Sequence, residues 1–165
     1  MTDSPPSHPL VSVEEAQFAH TVLIRTYGGS LGMRDQSVVE SALARPVASF
    51  GGVPAYPTPY ERTAVVWVWL IRNHGFVDGN KRTASMVMRR WAEREGWRLP
   101  PEHDDEVYGT CVAIANKRVE LHQVAEWLRK RLVPGAATPS ARPRGPAQRR
   151  RTRLRRPLSR PEPER

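Results

Sequence analysis

The chain has a single cysteine, Cys111, so it cannot close an internal disulfide, and a small disulfide-stapled scaffold is excluded. It has no long hydrophobic run. The longest, Ala64–Ile71, falls far short of a bilayer span. The first ten residues, Met1–Leu10, contain neither the basic start nor the apolar core of a secretory leader. Together these absences predict a cytoplasmic protein with no membrane partner. Metal-ligand spacing is missing as well: His103 and His122 stand in no zinc-like pattern with each other or with Cys111. No internal repeat is visible. Aromatic residues make up only 7%, but five of them are Trp, which with 39% hydrophobic residues suffices for one ordinary core in a chain of 165 residues.

Charge of one sign is concentrated at one end. Pro134–Arg165 holds ten Arg and two Glu, so it carries +8 of the formal net charge of +9. The rest is close to neutral. That stretch is rich in Pro, Ala and Arg and poor in apolar bulk, so burial cannot offset its ordering entropy. It reads as a disordered tail over residues 133–165. Nucleic-acid binding is a second reading of its charge, weakened by the lack of interleaved aromatics. Residues 1–11 read as a flexible N-terminus and 12–132 as one domain.

Within the domain the patterns are helical. Ser12 and Glu15 form a capping box for a helix starting at Val13, on which Val13, Ala16, His20, Leu23 and Tyr27 recur at helical spacing. Gly28-Gly29 ends it. The glycines from Gly28 to Gly32 follow a helix rather than a strand, so they read as a cap and turn and not as a phosphate loop. Asp35 to Ala44 is a second helix, stopped by Pro46. Pro46–Pro59, with four prolines and Gly51-Gly52, predicts a hairpin-like flap. Glu61 to Asn73 is rich in β-branched residues, yet its length favours a buried helix. Further helices are expected at about Asn80 to Glu95, ended by Gly96, then Glu102–Asn116 and Glu120–Leu132. His20 is expected as a satisfied core histidine, Cys111 as a small buried hydrophobe, and Trp67, Trp69, Trp91 and Trp127 as core residues.

The chemistry sits in residues 73–84, Asn-His-Gly-Phe-Val-Asp-Gly-Asn-Lys-Arg-Thr-Ala. Asp78-Gly79 is a turn signal and Asn80 an N-cap for the helix that follows. A helix N-terminus offers free N–H groups and positive potential to a phosphate, and Gly79 allows close approach of the backbone. Lys81 and Arg82 add positive charge. Asp78 is a hard oxygen ligand suited to Mg²⁺ shared with ATP phosphates. His74 can take a proton near neutral pH. Phe76 alternates with these polar residues and anchors the loop.

This segment resembles the Fic/Doc (Fido) family motif H-x-F-x-D-G-N-(G or K)-R, in the Lys form found in death-on-curing (Doc) toxins. Tyr27-Gly28-Gly29, Leu31 to Asp35, Glu40 to Pro46, Tyr56-Pro57 and Thr83-Ala84 are similar to the Doc-type pattern in the same order, so the likeness covers roughly residues 12–132. It implies an all-α, compact Fido-type bundle of about six helices with a short hairpin flap. It also implies catalytic His74 as general base on a target hydroxyl, Asp78 for Mg²⁺, and Gly79, Asn80, Lys81 and Arg82 for nucleotide phosphates. The flap, through Val53, Pro54, Ala55 and Tyr56, would dock the target by strand addition. Gly75 stands where the family usually has Pro, a change expected to loosen the loop.

With Lys81 in the Doc form, the resemblance implies transfer of the γ-phosphate of ATP to a protein Ser or Thr, with the translation machinery as the target class. Gly at that position is associated with adenylyl transfer, which is the alternative. A third reading is an idle binding module whose basic tail binds nucleic acid. The inhibitory pattern [ST]-x-x-x-E-[GN] of some members is missing: the one Glu followed by Gly or Asn is Glu95-Gly96, and Trp91 stands four residues before it. A separate antitoxin chain is therefore expected.

Overall fold

The most apolar stretch of the sequence forms a helix at the centre of the fold, Pro59–Asn73, with nine of its fifteen residues buried. The computed structural model describes residues 5–135, so the expected tail from residue 136 onward lies outside the described residues. In chain order the helices are α1 (Val13–Tyr27), α2 (Gln36–Ala44), α3 (Pro59–Asn73), α4 (Asn80–Arg94), α5 (Asp104–Ala115) and α6 (Leu121–Arg131). Four two-residue strands accompany them: β1 (Ser49–Phe50), β2 (Val53–Pro54), β3 (Trp97–Arg98) and β4 (Val133–Pro134). The protein is thus a mostly-α bundle, with α3 packed against α4, α6, α2 and α5.

Local chemistry explains where the helices begin. Ser12 and Glu15 form a reciprocal capping box at α1, and Thr58 and Glu61 do the same at α3, where Pro59 takes the first helical position. Asp35 caps α2 by accepting from the N–H groups of Ser37 and Val38 at 2.9 and 3.4 Å. The β-branched content of α3 is overridden by this cap and by burial on nearly every side, where any helical face finds an apolar partner.

The expected flap is a hairpin. β1 and β2 pair antiparallel, Phe50 opposite Val53, around Gly51 and Gly52, whose φ values of 57° and 80° suit the tight turn. Its base is tied to the body by Arg62, which is buried. Arg62 donates to the carbonyls of Tyr56 (3.0 Å) and Pro57 (2.7 Å) and makes a bidentate pair with Glu95 at 2.8 and 2.6 Å. Trp91 Nε1 donates to the same carboxylate at 2.8 Å. Glu95, the one Glu followed by Gly or Asn in the sequence, is thereby built into the core.

The structure departs from the sequence reading in several places. Val11 is buried in the core, although it falls in the expected N-terminal segment. β3 and β4 pair antiparallel, Trp97 opposite Pro134, and Gly135 N–H donates to the Gly96 carbonyl at 2.8 Å, beyond the expected end of the domain. Two-residue strands far apart in sequence carry no periodic signal, so this strand pair was not legible beforehand. Trp67 and Trp91 are fully buried, whereas Trp69 and Trp127 are half-buried and each lies under an arginine, Arg45 at 3.6 Å and Arg131 at 4.6 Å.

Candidate active site

The loop between α3 and α4 is held by hydrogen bonds to the segment that joins α1 to α2. Gly75 carbonyl accepts from Arg34 N–H (2.8 Å) and Asp35 N–H (3.2 Å), Val77 N–H donates to Gly32 carbonyl (3.0 Å), and Phe76 bridges to Met33. Gly75, where loosening was expected, stands at a closely packed position. Gly75 is buried, and a Cβ there would lie 2.5 Å from Val39 Cγ2, so the glycine permits close packing. Phe76 is buried, as its anchoring role required, and stacks on His20 with ring centroids 4.5 Å apart.

Asn80 does not cap α4. Gly79 holds that place with φ 65°, and Asn80 is the first helical residue. Its side chain instead clasps the backbone of Phe76, accepting from its N–H and donating to its carbonyl, both at 2.9 Å. An Asn side chain reaches four residues back as readily as it caps, and the tight turn at Asp78-Gly79 brings Phe76 within that reach. Both polar ends of the Asn80 side chain are therefore committed, leaving its backbone N–H for a ligand. The first intrahelical bond runs from Thr83 N–H to Gly79 carbonyl at 2.9 Å, so the N–H groups of Asn80, Lys81 and Arg82 reach no carbonyl within α4. Gly79 is needed here: its φ is left-handed, and a Cβ would stand 2.9 Å from Ile24 Cδ1.

Asp78 is exposed and oriented by two backbone donors, Gly79 N–H at 2.5 Å and Ser30 N–H at 3.2 Å. These hydrogen bonds, Gly79 foremost, hold its carboxyl below the usual range and keep it ionised. Gly29 lets Ser30 come close, since a Cβ on Gly29 would lie 2.5 Å from Asp78 Oδ2. The Gly28–Gly32 turn thus caps α1 and also orients Asp78, a second role that the sequence reading missed. Arg82 Nη2 donates to Gly28 carbonyl at 3.1 Å, with its guanidinium 6.0 Å from the Tyr27 ring centre.

His74 ends α3 in the left-handed conformation with φ 50° and is exposed. It lines a cleft of about 830 Å³ together with Asp78, Gly79, Asn80, Lys81 and Arg82. The structure therefore gathers six of the residues singled out from sequence around one cavity at the N-terminus of α4. The flap residues Val53, Pro54, Ala55 and Tyr56 are not among its lining residues. Its far wall is α5, with Tyr108 and Cys111, and α4, with Met86 and Arg89. Met86 and Arg89 follow the motif along α4, whereas Tyr108 and Cys111 reach the cleft only through the packing of α5 on α4. Burial pushes the Cys111 thiol up, as suits a small core residue.

The Fic/DOC family model matches residues 10–92. The chain belongs to the Fic/DOC family. A relative within the family is the protein named Toxin Doc from Mycolicibacterium smegmatis, 35% identical over 100 residues, which cover 60% of this chain and 77% of that protein. All six cleft residues of the motif fall inside the region that the Fic/DOC family model matches.

Among the described residues no group of three or more His, Cys, Asp or Glu is arranged to hold a metal. A single exposed, ionised carboxylate does fit Mg²⁺, which is commonly bound by one or two carboxylates while phosphates and water complete its shell. Asp78 has that character. No helix among the described residues is long and apolar enough to cross a membrane.

Proposed function

We propose that the protein is a Doc-like toxin that transfers the γ-phosphate of ATP to a Ser or Thr hydroxyl of a cytoplasmic target, the translation machinery being the target class. The observation that carries this reading is the convergence of His74, Asp78 and the unpaired N–H groups of Asn80, Lys81 and Arg82 on one cleft. The name of the mycobacterial relative supports the toxin assignment, and with it a separate antitoxin chain that restrains the activity.

The residues divide the work as phosphoryl transfer requires, chiefly by positioning reactants and neutralising charge. The start of α4 cradles the phosphates by its N–H groups, and Lys81 and Arg82 balance their charge. His74 accepts the proton of the target hydroxyl as its oxygen bonds to the γ-phosphorus and the bond to the β-phosphate oxygen breaks, releasing ADP. Mg²⁺ held through Asp78 would neutralise phosphate charge and favour departure of ADP. The hairpin β1–β2 presents Phe50 and Val53, both largely exposed, as the surface on which an extended target segment lies.

Lys81 is exposed and lines the cleft, which supports γ-phosphoryl over adenylyl transfer: an ammonium group there occupies space a second phosphate site would need. The test is to incubate the full chain with bacterial lysate and ATP labelled at either the γ or the α position, with His74→Ala as control. Labelling of protein from the γ position is expected. Labelling from the α position alone establishes adenylyl transfer instead. Unchanged labelling with His74→Ala removes the imidazole from the mechanism.

A further inference from the structure

His20 is a buried ionisable side chain behind the cleft that the transfer chemistry leaves without a part. It sits on α1, 2% exposed, behind the turn that opens α4. Its Nδ1 lies 3.2 Å from Thr83 Oγ1, and Thr83 is itself fully buried in the first turn of α4. Its ring stacks on Phe76 at an interplanar angle of 22°. Its Nδ1 also stands 3.8 Å from where a Cβ on Gly79 would be. One imidazole therefore touches both limbs of the phosphate-facing turn, Phe76 before it and Thr83 after it.

The ring is poorly chosen if filling the core were its only task. Nε2 is buried with no hydrogen-bond partner. An apolar side chain of similar size would fill the place without stranding a polar nitrogen. What the imidazole adds over such a side chain is the bond to Thr83, made across helices between residues 63 positions apart.

We infer that His20 is a positioning residue for the anion site: through Thr83 it holds the first turn of α4 so that the N–H groups of Asn80, Lys81 and Arg82 converge on the phosphates. This rests on the proposed use of that turn for ATP. The bond fixes the α4 terminus against α1, and Phe76, clasped by Asn80, transmits the same constraint to the loop. A second brace exists on the opposite side, where Ser85 Oγ donates to Lys81 carbonyl at 3.0 Å and accepts from Trp67 Nε1 at 3.3 Å. Loss of the His20 bond therefore weakens the site without abolishing it.

Two pairs of substitutions isolate the bond. His20→Phe keeps the flat ring against Phe76 and removes the Nδ1 partner. His20→Asn places an amide near the Nδ1 position and dispenses with the stranded Nε2. Thr83→Val removes the hydroxyl at nearly constant volume, and Thr83→Ser keeps it. The readout is the dissociation constant for Mg-ATP by titration calorimetry, at a temperature where circular dichroism shows each variant folded. His20→Phe and Thr83→Val are expected to bind roughly five- to tenfold more weakly, the loss of about one buried neutral hydrogen bond, and His20→Asn and Thr83→Ser to stay within about twofold of the parent. A residue that only stabilises the fold would lower the melting temperature and leave the affinity of the folded protein alone. Equal affinity in all four variants overturns the inference, as does His20→Asn binding as poorly as His20→Phe. Should the His20 variants fail to fold, the Thr83 pair decides by the same criterion. Failure of the parent chain to bind Mg-ATP has a different meaning: it removes the proposed transfer reaction and the role of His20 with it.

Discussion

Removing the Glu95 carboxylate is expected to damage this protein more than almost any single substitution outside its apolar core. The Arg62 and Glu95 side chains are only 6% and 5% exposed, and their bidentate pair is supplemented by Trp91 Nε1 on the carboxylate and by the Tyr56 and Pro57 carbonyls on the guanidinium. In Glu95→Ala the guanidinium stays buried with two carbonyls as its remaining partners, and the Trp91 N–H is stranded. Deleting one member of a buried pair costs about 3–5 kcal/mol, a large part of the roughly 5–15 kcal/mol that holds a domain together. For a domain of this size that corresponds to a fall in melting temperature of about 10–20 °C, read by far-UV circular dichroism. The double variant Arg62→Leu/Glu95→Leu removes both charges, so it is expected to recover much of the loss. A cost below about 1 kcal/mol for Glu95→Ala, or a double variant as unstable as the two single losses added, would refute the picture of a desolvated pair. The same variant also separates structure from regulation. Glu95 points into the core and not at the cleft, so Glu95→Ala is not expected to raise transferase activity as release of an inhibitory residue would.

Three further outcomes are expected. His74→Ala should lower transfer to protein by about a hundredfold or more while Mg-ATP binding measured by calorimetry stays near the parent value, because in the proposed mechanism the imidazole acts on the hydroxyl and not on the phosphates; a comparable loss of binding would contradict this division. Gly75→Ala should destabilise the fold by about 1–3 kcal/mol in urea denaturation, since its Cβ meets Val39 Cγ2 at 2.5 Å, and no measurable change would show that the loop is not packed as described. The Glu106 carboxyl is held at about 2, against an ordinary 4.5, by Arg131 and then His103, so it stabilises the folded state above its ordinary value and that contribution is lost as pH falls towards about 2. Glu106→Gln should flatten the acid limb of the stability curve over that window, and an unchanged limb would mean the ion pair is not formed in solution.

Most of the helices could be read from sequence because their determinants are local. Ser12 with Glu15, Asp35 before Gln36 and Gly28 after Tyr27 set starts and stops within a few residues of where they act. The candidate site was legible for a related reason: His74 to Arg82 is one contiguous segment, and a turn followed by a helix suffices to bring its groups to one place. Even there a local reading went wrong when two local options competed. Asn80 is a good cap by type, but it bonds to the Phe76 backbone and leaves the cap to Gly79.

The amino-acid order by itself determined the helical class, the hairpin flap and the segment that lines the cleft, since caps, turns and apolar periodicity act over a few residues. Only tertiary packing decided that Gly75 must be small, that Ser30 aims Asp78, that Glu95 belongs to Arg62, and that His20 stands behind the α4 terminus. Those contacts join residues on different elements, and their energies depend on how closely two helices or a helix and a loop approach. That distance is set by the whole core at once, so no stretch of the chain records it locally.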